Sequence, residues 1–186
     1  KSFNRIIEVN PDEKWAIVEP GIVRDDLNQR LEQYGYYFAP ETSTANRAMI
    51  GGMIGNNSCG SNSVVYGSTR EHLLEVGAFL SDGSKVRFGP LSKDEFLARI
   101  SSSENDLEHR LYKHIHSILS DHVNVREIER EFPKHSIHRR NTGYAIHMLA
   151  GMQPFNPEGQ PFNFSSLIAG SEGTLAFITS ARIRLT

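Results

Sequence analysis

The sequence predicts an α+β domain in which helices flank a mixed or antiparallel sheet. Short turns rich in Asn, Asp, Pro, Ser and Gly join two pairs of apolar, strand-like runs, as expected for hairpins. Segments with helical spacing separate the two pairs, without a regular alternation of single strands and helices. The 186 residues, 38% apolar and 23% charged, suffice for one domain with its own core, or at most two small ones.

The N-terminal elements follow from local patterns. Strands are predicted at residues 3–9 and 15–19, because apolar runs flank a turn that contains Pro and Asp. Residues 22–34 place apolar side chains at near-helical spacing, and Gly35 is a typical residue just beyond a helix end. The apolar run at residues 36–38 predicts a further short strand.

Residues 41–68 differ in character from the segments around them. They are rich in Gly, Ser, Asn and Thr and show no sustained period. A loop of this length inside a domain is usually functional or disordered, and Ile50, Met53 and Ile54 argue against disorder. We therefore predict a functional loop.

The remaining elements lie in the second half of the chain. Strands are predicted at residues 73–80, 85–88 and 174–185, and helices at residues 94–100 and 107–119. A Ser-Asp-Gly turn joins the first two of these strands, and Ser92 with Glu95 forms a capping-box pattern before the first helix. The charged segment 92–133 predicts a surface helical insertion.

Composition excludes several classes of protein. The 20 basic and 22 acidic residues give a net charge of −2, which argues against nucleic acid as a partner. Cys59, the single cysteine, excludes a disulfide framework, and the eight histidines form no zinc pattern, so we predict no metal. No apolar run reaches the ~18–20 residues of a transmembrane segment. We expect a cytoplasmic protein, with peripheral contact with a membrane as the alternative.

The first motif that can carry chemistry is the glycine loop, residues 50–61 (IGGMIGNNSCGS). Glycine lets a backbone approach a ligand closely, and successive N–H groups can bind a pyrophosphate without a lysine. The loop is neither a Walker loop nor a Rossmann fingerprint, because it lacks both spacings. A tightly packed turn without a ligand is the open alternative.

Two further motifs occur in the second half. The Ser-Glu turn, residues 170–175 (GSEGTL), leads into an apolar strand, and by itself would be an ordinary β-turn. Arg139, Arg140 and Asn141 precede a Gly-Tyr pair and would suit a carboxylate, with a solvated basic loop as the alternative.

Together the three motifs resemble the FAD-binding (PCMH-type) domain of the vanillyl-alcohol-oxidase flavoproteins. The resemblance is closest to the D-lactate, glycolate and D-2-hydroxyglutarate dehydrogenase branch. The matching residues are, in order, Pro40, Ser43, Ile50, Gly51, Gly52, Asn57, Gly60, Tyr66, Gly67, then Asn141-Thr142-Gly143-Tyr144, and then Gly170-Ser171-Glu172-Gly173-Thr174-Leu175. Three motifs in the family's order make this a specific signal.

The resemblance implies site residues. Its FAD contacts would be Pro40, Glu41, Ser43, Thr44, Ile50, Gly51, Gly52, Asn56, Asn57, Gly60, Ser61, Tyr66, Gly67, Glu172, Gly173 and Ile178. The substrate contacts would be Arg139, Arg140 and Asn141. No catalytic residue is assigned, because the base would lie in a later substrate domain.

The resemblance also implies an activity and a domain organisation. It implies an oxidoreductase that oxidises a D-2-hydroxy acid by hydride transfer to flavin N5, with an electron acceptor still to be identified. Residues 1–186 resemble the second FAD subdomain alone, so the first subdomain and the substrate domain are expected elsewhere in a longer parent. The isolated chain is then expected to be inactive. The alternative is a non-catalytic α+β interaction module in which the glycine loop is structural.

Overall fold

A five-stranded antiparallel sheet organises the computed structural model, which describes residues 2–134, 137 and 143–186. The strands are β1 (Ile6–Asn10), β2 (Trp15–Val18), β3 (Leu73–Phe79), β4 (Lys85–Phe88) and β5 (Phe177–Arg184). Their order across the sheet is β1-β2-β5-β3-β4, so the last strand lies between the two hairpins. The predicted α+β class is therefore confirmed, with the sheet antiparallel.

Helices flank this sheet. They are α1 (Arg24–Leu31), α2 (Ile50–Gly55), α3 (Ser63–Tyr66), α4 (Thr69–His72), α5 (Lys93–Ser101), α6 (Leu107–Leu119), α7 (His122–Glu131), α8 (Ile146–Ala150) and α9 (Ser165–Ile168), with a 3-10 turn at Glu32–Tyr34 after α1. Gly35 ends that turn with a φ of 74°, as predicted. The predicted capping box of α5 is also present, because Ser92 Oγ accepts from Glu95 N at 3.3 Å.

Two sequence-based predictions about structure are wrong. Residues 36–38 do not form a strand. Tyr37 and Thr186 exchange two backbone hydrogen bonds, of 3.2 and 2.9 Å, but this single pair does not extend the sheet. The glycine loop is not irregular, because its first half forms α2. Ile50, Met53 and Ile54 share one buried face of this helix, and burial of that face outweighs the poor helix propensity of glycine.

The core lies on one face of the sheet. Alternate residues of the inner strands, such as Val18, Val76 and Ile183, are fully buried there against helical side chains. An aromatic cluster extends the core toward α5 and α6 and comprises Phe88, Phe96, Tyr112, Phe155, Phe162 and Phe164. Helices α5 and α6 thus pack on the domain through the rings of Phe96 and Tyr112. That this segment is an insertion stays a prediction.

None of the helices in the described ranges has both the length and the apolar composition needed to cross a membrane.

Candidate functional site

The paired glycines of the glycine loop have different surroundings. A Cβ on Gly51 would lie 2.7 Å from Pro20 Cβ, so this glycine is needed for packing. A Cβ on Gly52 would meet no protein atom within 4 Å, so Gly52 faces open space. Neither has a positive φ, so close approach to Pro20, rather than a left-handed backbone, explains Gly51.

Gly52 opens onto the loop groove, an open cleft of ≈ 580 Å³. Its lining residues are Thr42, Ser43, Thr44, Ala48, Met49, Gly52, Met53, Asn56, Asn57, Ser58 and Cys59. Within the described part of the chain, the backbone N–H groups of Ser43, Gly52 and Cys59 have no acceptor. The groove therefore offers neutral hydrogen-bond donors to a ligand.

Asn57 holds the end of the glycine loop in place. It is buried and has a φ of 46°, a left-handed conformation that asparagine tolerates better than most residues. Its Oδ1 accepts from Ser68 Oγ and from Arg70 N, each at 2.9 Å. The side chain thus ties the loop to the start of α4.

The Ser-Glu turn docks onto the C-terminal end of α2. Gly170 N donates to Ile54 O at 2.9 Å, and Glu172 N donates to Gly55 O at 2.8 Å. Gly170 and Glu172 have φ values of 92° and 53°. A positive φ is uncommon for a residue other than glycine. The side chain of Glu172 is exposed at this turn.

A second cleft, the turn groove, lies beside the Ser-Glu turn. It measures ≈ 340 Å³ and is lined by Asn56, Arg70, Gly143, Tyr144, Gly170, Ser171, Glu172 and Thr174. Asn56 lines both grooves, so the two clefts meet at the end of α2. The hydroxyl groups of Tyr144 and Thr174 are hydrogen-bonded at 2.8 Å, which fixes Tyr144 at the groove wall.

Sequence reasoning missed Arg70 and Tyr144. Arg70 is a buried arginine that lines the turn groove. The position of Arg70 directly after the glycine-rich segment was the one signal in the sequence that it could belong to the site. An arginine in a short helix is nevertheless expected at the surface. Tyr144 is the last residue of a motif that we interpreted through its two arginines and its asparagine.

The predicted cofactor residues fall into two groups. Those that line a groove are Ser43, Thr44, Gly52, Asn56, Asn57 and Glu172. Those that line neither groove are Pro40, Glu41, Ile50, Gly51, Gly60, Ser61, Tyr66, Gly67, Gly173 and Ile178. The predicted substrate residues Arg139, Arg140 and Asn141 lie outside the described residues.

Several residues of the second group support the loop. Glu41 accepts from Ser61 Oγ and Asn62 Nδ2, each at 2.9 Å, and a Cβ on Gly60 would collide with the Glu41 side chain. Tyr66 shares a 3.0 Å hydrogen bond with the hydroxyl of Tyr37, and this bond raises the pKa of the Tyr37 phenol. These contacts position the loop, whereas the roles in cofactor binding stay predictions.

A comparison with protein families matches residues 1–89 to the family described as FAD binding domain. These residues are similar to that family and make up just under half of the 186-residue chain. The predicted resemblance is thereby confirmed, and so is FAD as the cofactor of this class of domain.

Two curated relatives match this chain along its full length, and a third matches half of it. D-2-hydroxyglutarate dehydrogenase of Escherichia coli (strain K12) is 41% identical over 186 residues, covering 100% of this chain and 17% of the relative. The same enzyme of Pseudomonas putida is 34% identical, with 100% and 17% covered. Glycolate oxidase subunit GlcD of Bacillus subtilis (strain 168) is 33% identical over 95 residues, half of this chain and 20% of the relative. The chain thus spans about a sixth of the dehydrogenases that it matches along its full length.

Among solved structures, an alkyldihydroxyacetonephosphate synthase superimposes with a TM-score of 0.55 at 16% identity. The match covers 99% of this chain and 21% of that protein. At this identity it shows a shared fold alone.

The two grooves are large enough for a small-molecule ligand. Each has a volume within the range of about 300–1,000 Å³ that is usual for ligand sites. Gly52 leaves space for a ligand at the helix surface, and the N–H groups of Ser43, Gly52 and Cys59 suit phosphate oxygens. The residues present are therefore compatible with the cofactor of the family.

Proposed function

We propose that the longer protein carrying this chain is an FAD-dependent dehydrogenase that oxidises a D-2-hydroxy acid. The observation that carries the proposal is the meeting of the two glycine-rich motifs. The hydrogen bonds from Gly170 and Glu172 to the end of α2 bring residues more than a hundred positions apart to one polar double cleft. A structural turn alone would not need an open groove on both sides of Asn56.

In this proposal each part of the site has a role. The loop groove binds the diphosphate of FAD through backbone N–H groups, and Gly52 keeps that surface free of a side chain. The Ser-Glu turn and Tyr144 form the wall of the second groove. When bound, FAD would accept a hydride from the substrate Cα at flavin N5. The base that takes the hydroxyl proton lies outside this chain.

D-2-hydroxyglutarate is the first substrate to test, because the relatives that match along the whole chain carry that name. Such a substrate has two carboxylates and needs a fixed cation. Arg139, Arg140 and Asn141 remain our predicted substrate contacts, since arginine binds a carboxylate through two parallel hydrogen bonds.

The domain organisation is part of the same proposal. Residues 1–186 form the second FAD subdomain, and residues 92–133 are an insertion within it. Both grooves are open on the surface of this chain, so another part of the parent protein would have to cover the cofactor. The isolated chain should accordingly bind FAD more weakly than about 1 μM and show no dehydrogenase activity.

The test is an absorption spectrum and a substrate panel on the purified full-length protein. A flavin band that is bleached by D-2-hydroxyglutarate or another D-2-hydroxy acid, and not by the L enantiomer, supports the proposal. A colourless protein that cannot be loaded with FAD would instead favour the non-catalytic interaction module. The relatives do not favour that alternative.

A further inference from the structure

Helix α3 carries the two most exposed of the large apolar side chains in the described residues. Val64 is 87% exposed and Val65 is 75% exposed, and the two are adjacent in sequence. A single apolar residue at the surface is common, whereas contiguous apolar side chains mark a surface that contacts another element. We call this pair the valine ridge.

The domain holds α3 in a fixed position. The hydroxyl groups of Tyr66 and Tyr37 are hydrogen-bonded at 3.0 Å, and the two rings meet edge to face. The backbone carbonyl of Tyr66 accepts from Nε2 of the buried His72 at 2.8 Å. Just before the helix, two hydrogen bonds to Glu41 hold the chain. The valine ridge is therefore presented on a firm support.

The valine ridge stands beside the loop groove. Cys59 lines that groove, and the next residue, Gly60, accepts from Ser63 N at 3.1 Å at the start of α3. A Cβ on Gly60 would collide with Glu41, which directly precedes the groove-lining residues 42–44. Helix α3 thus forms part of the rim of the loop groove. An element that covers the groove from this side meets the valine ridge.

We propose that the valine ridge is the docking site for an apolar element of the parent protein outside residues 1–186, and that this element covers the loop groove. This chain covers 17% of the dehydrogenases that match along its full length, so most of such a parent lies outside these residues. The inference rests on the proposed function, which requires a cover over the open grooves, and it names the surface that carries the cover.

A second copy of the chain is a poorer occupant of the valine ridge. A stable complex of separate proteins buries about 800 Å² on each partner, far more than two valine side chains offer. An element of the same polypeptide needs less area, because the covalent link gives it a high effective concentration. Helix α3 has no charged side chain, so an apolar occupant suits it.

Photo-cross-linking of the full-length protein tests the docking. The variants are Val64→benzoylphenylalanine and, as the matched control, Val123→benzoylphenylalanine. Val123 is 63% exposed, lies on α7 and lines neither groove. Mass spectrometry of the illuminated protein should show a cross-link from position 64, within one chain, to a peptide outside residues 1–186, and position 123 should not give that product. A cross-link from position 64 to a second copy, or none to a peptide outside residues 1–186, overturns the proposal.

Substitutions test whether the docked element covers the cofactor. Val64→Asp places a charge under the apolar cover, and Val65→Asp does the same. Each should raise the FAD dissociation constant of the full-length protein by roughly tenfold or more, as expected when a polar group is buried without a partner. The control Val123→Asp should keep the wild-type affinity. If both ridge variants bind FAD as tightly as the wild type, no cover rests on the valine ridge.

Failure of this inference can be told apart from failure of the proposed function. A full-length protein that cannot be loaded with FAD refutes the proposed function and the cover with it. A flavin-loaded protein that lacks the cross-link from position 64 refutes the docking site alone.

Discussion

Gly52→Val should separate cofactor binding from folding. The new side chain would point into the loop groove, where a Cβ meets no protein atom within 4 Å, so the fold can accept it. Gly52 lies within α2 and has no positive φ, and valine has a slightly better helix propensity than glycine. We therefore expect the free energy of unfolding of the apoprotein to change by less than about 0.5 kcal/mol.

FAD binding should respond very differently. The isopropyl group would occupy the open side of the groove and shield the Gly52 N–H, which has no acceptor among the described residues. Loss of one hydrogen bond to a charged phosphate costs about 1.5–3 kcal/mol. The FAD dissociation constant should therefore rise at least tenfold, and by roughly a hundredfold if the bond is lost completely.

Gly51→Ala is the matched control. Its Cβ would lie 2.7 Å from Pro20 Cβ, so this smaller substitution should destabilise the fold by about 1–3 kcal/mol. FAD titration and urea unfolding of the deflavinated full-length protein measure both quantities for each variant. If Gly52→Val retains stoichiometric flavin at the wild-type affinity, the glycine loop does not contact the cofactor.

Three further predictions concern the rest of the chain. Asn57→Ala should destabilise the fold by about 2–4 kcal/mol in urea unfolding, because it removes two hydrogen bonds and leaves alanine in a left-handed conformation. The hydrogen bond from Arg5 lowers the pKa of Glu19, so this pair stabilises the fold above about pH 4.5 and loses its effect as pH falls through the lowered pKa. Glu19→Gln should accordingly lower the urea midpoint at pH 7, and an equal deficit at pH 2 would contradict the assignment. Arg139→Ala should raise KM for the hydroxy acid roughly tenfold to a hundredfold, while Arg140→Ala should have little effect; unchanged KM in both would exclude this segment from the substrate site.

Local chemistry was sufficient for much of the secondary structure. The turn of the second hairpin contains Asp82 and Gly83, and Gly83 has a φ of 85°, a conformation that few other residues adopt. The capping box of Ser92 and Glu95 and the C-cap at Gly35 likewise depend on residues close in sequence. Such signals can be read from the sequence because their energies involve only neighbouring residues.

Contacts between residues that are distant in sequence determine the geometry of the site. The sequence shows two adjacent glycines, but only the packing of Pro20 against Gly51 shows which of them can face a ligand. Helix α2 forms because its apolar residues are buried in the core. The glycine-rich composition of this segment gives no indication of that burial.

The position of Arg70 is the clearest case. The sequence alone shows the order of the motifs and therefore indicates the family. A motif is recognised from its residue types and their spacing, and this requires no knowledge of their contacts. The tertiary structure decided that Arg70 is buried between those motifs and lines a groove. Its side chain bonds carbonyl groups about a hundred residues further along the chain, and no local pattern encodes a contact at that separation.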